Sequence, residues 1–234
     1  MFELQSFVIG IILMLKKYTL INITINEEPC DEDYKNGIML LPIIGLTTGF
    51  FACFIMAFKI FYDSFFVSVI VFMYYCIITK TVSLIDSYKV LNYYIKPKKS
   101  SEQLSGILGI LIMSMLYISL MRLVNIKALI IMTTAGYSGL IITSSYIDRD
   151  KECTSVMKYC GKYHRLSAFI ISFAAAVIIN YRLVIPLALT YMIMGVAVKS
   201  IDKSIKLLPS SIEGFIIEIT QLIFLTVTYL FKII

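Results

Sequence analysis

One carboxylate stands out for where it is placed. Glu218 lies about two turns into the last long apolar run, residues 212–231, and Gln221 follows one turn later. An ionisable group at that depth is costly unless it faces a polar interior, so a functional role is the default expectation. The plainer use is a structural hydrogen bond to a neighbouring helix.

Other clusters carry weaker chemistry. Glu27, Glu28, Asp31, Glu32 and Asp33 crowd the segment before the first long apolar run. They could hold a cation, but acids in a first helical turn favour the helix dipole, with Cys30 or Asp31 placed to cap. Cys153, Cys160 and His164 have the spacing C-x6-C-x3-H, looser than zinc sites use and one ligand short, so a reduced structural loop is expected. Tyr74, Tyr75, Tyr88, Tyr93 and Tyr94 read as interfacial anchors around the second run, with substrate stacking as the alternative. Lys96, Lys98 and Lys99 flank Pro97 and could meet anionic lipid or a phosphorylated substrate, although a solvated basic cluster needs no further role.

The elements that must position these residues are helices crossing a bilayer. Apolar runs at 37–58, 65–79, 104–121, 128–146, 166–179, 183–198 and 212–231 predict an all-α membrane bundle of about seven spans in one domain. The second and fifth runs are short for a span, so they extend into their flanks, thin the bilayer or sit inside the bundle. Residues 2–15 are shorter still and predict an interfacial or half-inserted N-terminal helix. Pro42 is expected to kink the first span, with a neighbour packed on Gly45 and Gly49. The tight break Asn180-Tyr181-Arg182 predicts a hairpin.

Charge orients this arrangement. Of the 21 Lys and Arg residues, 16 fall in the alternating segments 16–36, 80–103, 147–165 and 199–211. The positive-inside rule makes those four loops cytoplasmic in a cell membrane protein. They are also the long loops, which puts binding or chemistry on that face.

Bulk properties exclude several classes. With 59% hydrophobic residues, 15% charged and a mean hydropathy of +0.87, a soluble domain would lack the polar surface it needs. The net charge of +6 serves orientation and not nucleic acid. Five cysteines, two of them inside apolar runs, argue against a disulfide framework. Lys16-Lys17 after the first apolar stretch, with no small-residue cleavage site, argues against a cleavable signal peptide.

Framework residues along the whole chain carry a resemblance. Leu41-Pro42-Ile43-Ile44-Gly45 within residues 34–49, the helix-loop-helix stretch 140–176 with Tyr146 at its corner, and Gly214-Phe215-Ile216-Ile217-Glu218 before Leu222 occur in one order and spacing. In these features the chain resembles the cobalamin-5′-phosphate synthase family, the membrane adenosylcobinamide-GDP ribazoletransferases, from Ser6-Phe7 to about Leu225. The resemblance implies joining of α-ribazole or its 5′-phosphate to adenosylcobinamide-GDP with release of GMP, and a Mg²⁺ ion held by carboxylates that neutralises the diphosphate.

The family's acidic motif, H-L-D-G-x-x-D-x-x-D-G, falls on residues 83–93 and is largely replaced. Ser83 stands for its histidine, and Ile85, Lys89 and Asn92 stand for its aspartates, while Asp86 takes a glycine position. A lysine cannot replace a carboxylate at Mg²⁺, because it adds charge of the wrong sign. The late T-G-D element reads Pro209-Ser210-Ser211, the S-R pair of the fourth helix reads Gly136-Tyr137, and the next loop's glycines read Lys151 and Cys153. The resemblance therefore leaves Asp86 and Glu218 as candidate catalytic residues, Asp86, Glu102 and Glu213 as substitute metal ligands, and the three lysines as substrate contacts. Three functions stay open: a divergent transferase, a silent relative that binds a corrinoid or partner protein, and a small transporter with Glu218 on its path. A homo-oligomer is compatible with each.

Overall fold

The computed structural model describes residues 2–25, 28–94, 104–147, 155–202 and 211–233. Among them every regular element is helical. The helices are α1 (Phe2–Tyr18), α2 (Asp31–Met56), α3 (Ser64–Ile78), α4 (Val82–Tyr94), α5 (Leu104–Leu123), α6 (Ala128–Thr143), α7 (Ser155–Tyr159), α8 (Lys162–Asn180), α9 (Val184–Asp202) and α10 (Ile212–Leu230).

Five helical segments among the described residues are long and apolar enough to cross a membrane, and six if the bent pair α3–α4 makes one span. One of the five, Lys162–Ser200, is folded back on itself as expected. Phe173 on α8 and Tyr191 on α9 bring their ring centroids to 6.1 Å, and a straight helix would hold them roughly 27 Å apart. The Asn180 side chain accepts from the Arg182 N–H (3.1 Å) at the turn.

α6 and α10 form the centre. α6 is almost wholly buried because small residues line two of its faces. Side chains added at Gly45 or Gly49 of α2 would strike Thr133, Tyr137 and the Ile130 carbonyl of α6, so the two backbones approach as the sequence predicts. Apolar lipid supplies little drive for helices to associate, so such close packing holds the pair together. α2 runs without interruption through Pro42. On its other side α6 presents Gly136 and Gly139 to Gln221 and Thr220 of α10.

Two apolar clusters make the interior. One gathers Met121, Leu129, Met132, Leu222 and Phe224. The other gathers Met14, Ile38, Leu41, Leu140 and Ile217. Glu218 lies on α10 between their members. Large apolar side chains such as Phe50, Phe54, Met115 and Ile178 cover the outside, as a surface facing lipid requires.

Three local expectations meet a different geometry or a more specific one. Residues 80–103 are expected as a loop, yet 82–94 form α4. The short second run, now α3, meets α4 at a sharp change of direction. α1 runs to Tyr18, beyond the expected 2–15, and packs along the first part of α2, where Gly10 and Gly37 let the backbones touch. The acids before α2 serve its start: Asp33 Oδ2 accepts from the Cys30 N–H (2.9 Å), and Asp31, Glu32 and Asp33 occupy the first turn.

Candidate functional site

The site begins with the bend between α3 and α4. The chain turns by 91° there, through Thr79-Lys80-Thr81. Lys80 and Thr81 hold φ of 53° and 55°, a left-handed conformation that costs a non-glycine residue about 1–3 kcal/mol. Local bonds hold the bend. The Thr79 hydroxyl donates to the Tyr75 carbonyl (2.8 Å), and the Thr81 N–H donates to the Cys76 carbonyl (2.9 Å). The end of α1 is fastened to the same place, where Leu20 N–H donates to the Ile78 carbonyl (2.7 Å) and Lys80 Nζ to the Lys16 carbonyl (3.2 Å).

The bend lays the first turns of α4 across α10 at Gly214. A Cβ there would sit 2.6 Å from Asp86 Cβ and 2.7 Å from Ser83 Cα, so only glycine permits this crossing. Beside it lies a cavity of about 300 Å³ lined by Lys17, Tyr18, Ser83, Asp86, Tyr137 and Glu213, among others. Four helices supply these six residues: α1, α4, α6 and α10.

The two cavity carboxylates both have lysine partners. Glu213 is 3% exposed and takes Lys17 Nζ at 2.7 Å, while Lys17 keeps 32% of its side chain exposed. The same carboxylate accepts from Tyr18 Oη (3.1 Å) and, more weakly, from the Met157 N–H (3.4 Å). Burial, then the charge and hydrogen bond of Glu213, holds the Tyr18 hydroxyl well above the ordinary tyrosine range, which keeps it a donor. Asp86 lies 3.5 Å from Lys89 Nζ, one turn along α4, with the Ser211 hydroxyl also beside it. Lys89 points largely to solvent.

Glu218 is treated differently. It is wholly buried, and hydroxyls from three helices donate to it. Tyr75 Oη of α3 reaches Oε1 at 2.6 Å, and Tyr117 Oη of α5 reaches Oε2 at 2.6 Å. The Ser83 hydroxyl of α4 also donates to Oε1. Tyr117 is shared further, with the Glu218 carbonyl (3.1 Å) and Gln221 Oε1 (3.2 Å). Among the described residues no cation forms an ion pair with Glu218.

The structure thus brings Asp86, Glu213 and Glu218 to one region, where α4 crosses α10. Glu102, Lys96, Lys98 and Lys99 lie outside the described residues. Ser83 stands between Glu218 and the cavity that Asp86 and Glu213 line. Among the described residues no three of His, Cys, Asp and Glu come together to hold a metal ion. Of the described carboxylates, Glu213 and Asp86 face lysines and Glu218 accepts from hydroxyls at both oxygens.

Some residues of the candidate site escaped the sequence reading. Tyr75, expected as an interfacial anchor, is 2% exposed and binds Glu218. Lys17 and Tyr18 carried no signal beyond a basic pair at a helix end, and Tyr117 looked like one more aromatic in an apolar run. The expected loop is largely helical in its described part, with α7 and the first turn of α8 on either side of Cys160. Cys160 Sγ lies 3.6 Å from the Ile141 carbonyl, and His164 Nδ1 accepts from the Gly161 N–H at 2.9 Å. Cys153 lies outside the described residues.

No family model, no curated protein and no solved structure matches this chain.

Proposed function

We propose that this multi-pass membrane protein is a divergent relative of the cobalamin-5′-phosphate synthases that binds a small ligand between α1, α4 and α10 without metal-dependent transfer. The observation that carries this reading is the pairing of both cavity carboxylates with lysines: Glu213 with Lys17 at 2.7 Å and Asp86 with Lys89 at 3.5 Å. A metal-assisted transfer needs carboxylates free to cancel the charge of a diphosphate. Here Lys17 cancels Glu213, and Lys89 stands as a weaker, more exposed partner to Asp86. A volume of about 300 Å³ is at the low end of small-molecule sites. It suits α-ribazole or the nucleotide end of adenosylcobinamide-GDP, while the corrin ring stays outside. Lys96, Lys98 and Lys99 would then add positive charge for a phosphate group.

The test is an assay of purified protein in nanodiscs with adenosylcobinamide-GDP, α-ribazole and Mg²⁺. Binding of α-ribazole or the corrinoid with no GMP released is the expected result. GMP release that falls in Asp86→Ala would restore the transferase reading. Solute flux in proteoliposomes that Glu218→Gln abolishes would favour a transporter.

The same reading places the basic segments in the cytoplasm, 80–103 by the part beyond α4, and gives seven crossings, counting each arm of the α8–α9 hairpin and the bent α3–α4 pair as one each. Asn125→Cys should then be labelled from outside intact cells. Labelling only after lysis would reverse the orientation.

A further inference from the structure

Glu218 is wholly buried, yet one of its partners reaches the cavity. Ser83 donates to Glu218 Oε1 and also lines the cavity, whereas Tyr75 and Tyr117 bond to the carboxylate without lining it. Among the described residues the groups that face Glu218 are Tyr75 and Cys76 from α3, Ser83 from α4, Tyr117 from α5, Tyr137 from α6 and Gln221 from its own helix. None of these is a cation. Burying a carboxylate without a cation leaves its charge to be borne by hydrogen bonds alone, which makes exchange with a proton the natural relief.

The hydroxyl cage accommodates both states. A hydroxyl rotates between donating and accepting, so three donors can serve the anion, and Ser83 can turn to accept from the acid. Beyond Tyr117 the hydrogen bonds end at Gln221, whose amide nitrogen has no partner among the described residues and packs against Gly136. An amide does not dissociate at working pH, so this end is closed.

We propose that Glu218 is a proton-binding site loaded and emptied from the cavity through the Ser83 hydroxyl. On loading, a hydronium in the cavity protonates Ser83 Oγ as the original Ser83 proton passes to Glu218 Oε1. Water and a neutral carboxylic acid remain. On emptying, hydroxide takes a proton from Ser83 and the carboxylic proton moves to the hydroxyl. The proton leaves by the way it entered. This inference does not depend on which ligand the cavity takes.

Infrared difference spectroscopy of the full chain in nanodiscs tests it. Raising the pH should remove a carboxylic C=O band that is missing in Glu218→Gln, and lowering it should restore the band. In D₂O the wild-type band should shift while α10 amides remain protected. Ser83→Ala should slow that shift on the order of a hundredfold, the size of a lost proton-transfer step. Ser83→Thr, which keeps the hydroxyl, should exchange like wild type and controls for folding. Two results would overturn the proposal. One is a wild-type protein with no titrating Glu218 band over the range where it stays folded. The other is Ser83→Ala exchanging at the wild-type rate.

Discussion

Glu213 and Glu218 sit five residues apart on one helix, and the bundle neutralises them by opposite means. Glu213 faces the cavity, and a lysine from α1 supplies its counter-charge at 2.7 Å. Glu218 is deeper, and hydroxyls of three helices supply only hydrogen bonds. The difference follows from reach and desolvation. Lys17 can hold its ammonium against Glu213 while keeping a third of its side chain exposed. A lysine carried to Glu218 would lose its water altogether, and the desolvation of two ions can exceed their attraction. Tyrosine and serine hydroxyls are cheaper to bury. Glu213 is therefore set up for charge and Glu218 for exchange.

Substitutions at the two carboxylates and their neighbours break or sharpen that contrast, taken from the largest effect. Gly214→Val should remove both arrangements at once, because the added carbons overlap Asp86 and Ser83 where α4 crosses α10. Overpacking of this kind costs about 3 kcal/mol or more, and thermal unfolding in detergent should show a large fall in Tm or no folded protein. Glu218→Leu comes next. It strands the Tyr75, Ser83 and Tyr117 hydroxyls at about 1–3 kcal/mol for each that finds no new partner, whereas Glu218→Gln keeps an acceptor and should cost only about 1 kcal/mol. Equal losses for the two, read by reversible unfolding, would mean that the cage does not act through hydrogen bonds.

Lys17→Met should cost about 1–3 kcal/mol, because it leaves a buried carboxylate without its cation. In a double-mutant cycle, Glu213→Gln in the same chain should recover much of the loss. Additive losses would separate the pair. Lys89→Ala is the smallest, at about 0–1 kcal/mol, since that contact is long and its lysine mostly exposed. A larger effect would place Lys89 inside the cavity's working geometry.

How much of this could be read from residues alone depends on the range of the interaction. Glu218 was identifiable because its depth in an apolar run is a local property, and the acids at 31–33 because a helix start is local. Gly45 and Gly49 announced a close neighbour without naming it. The partner proved to be α6, chosen by Thr133 and Tyr137 some ninety residues away. α4 was missed because its thirteen residues mix polar and apolar types without a long apolar run, with lysines on both sides that read as a loop. Tyr75 was misread because a tyrosine near the end of an apolar run looks the same whether it meets headgroups or a buried acid.

The sequence by itself determined the solvent and the class of fold. Apolar runs of membrane length permit only structures that satisfy their own backbone, and here those are helices. It also determined that an acid would lie inside the bundle. The tertiary structure decided what that acid touches. The 91° bend sends α4 over Gly214, α1 brings Lys17 to Glu213, and Ser83 comes to stand between the cavity and Glu218. Side-chain bonds form at about 3 Å between residues more than a hundred positions apart, and no local pattern encodes which helices will meet there.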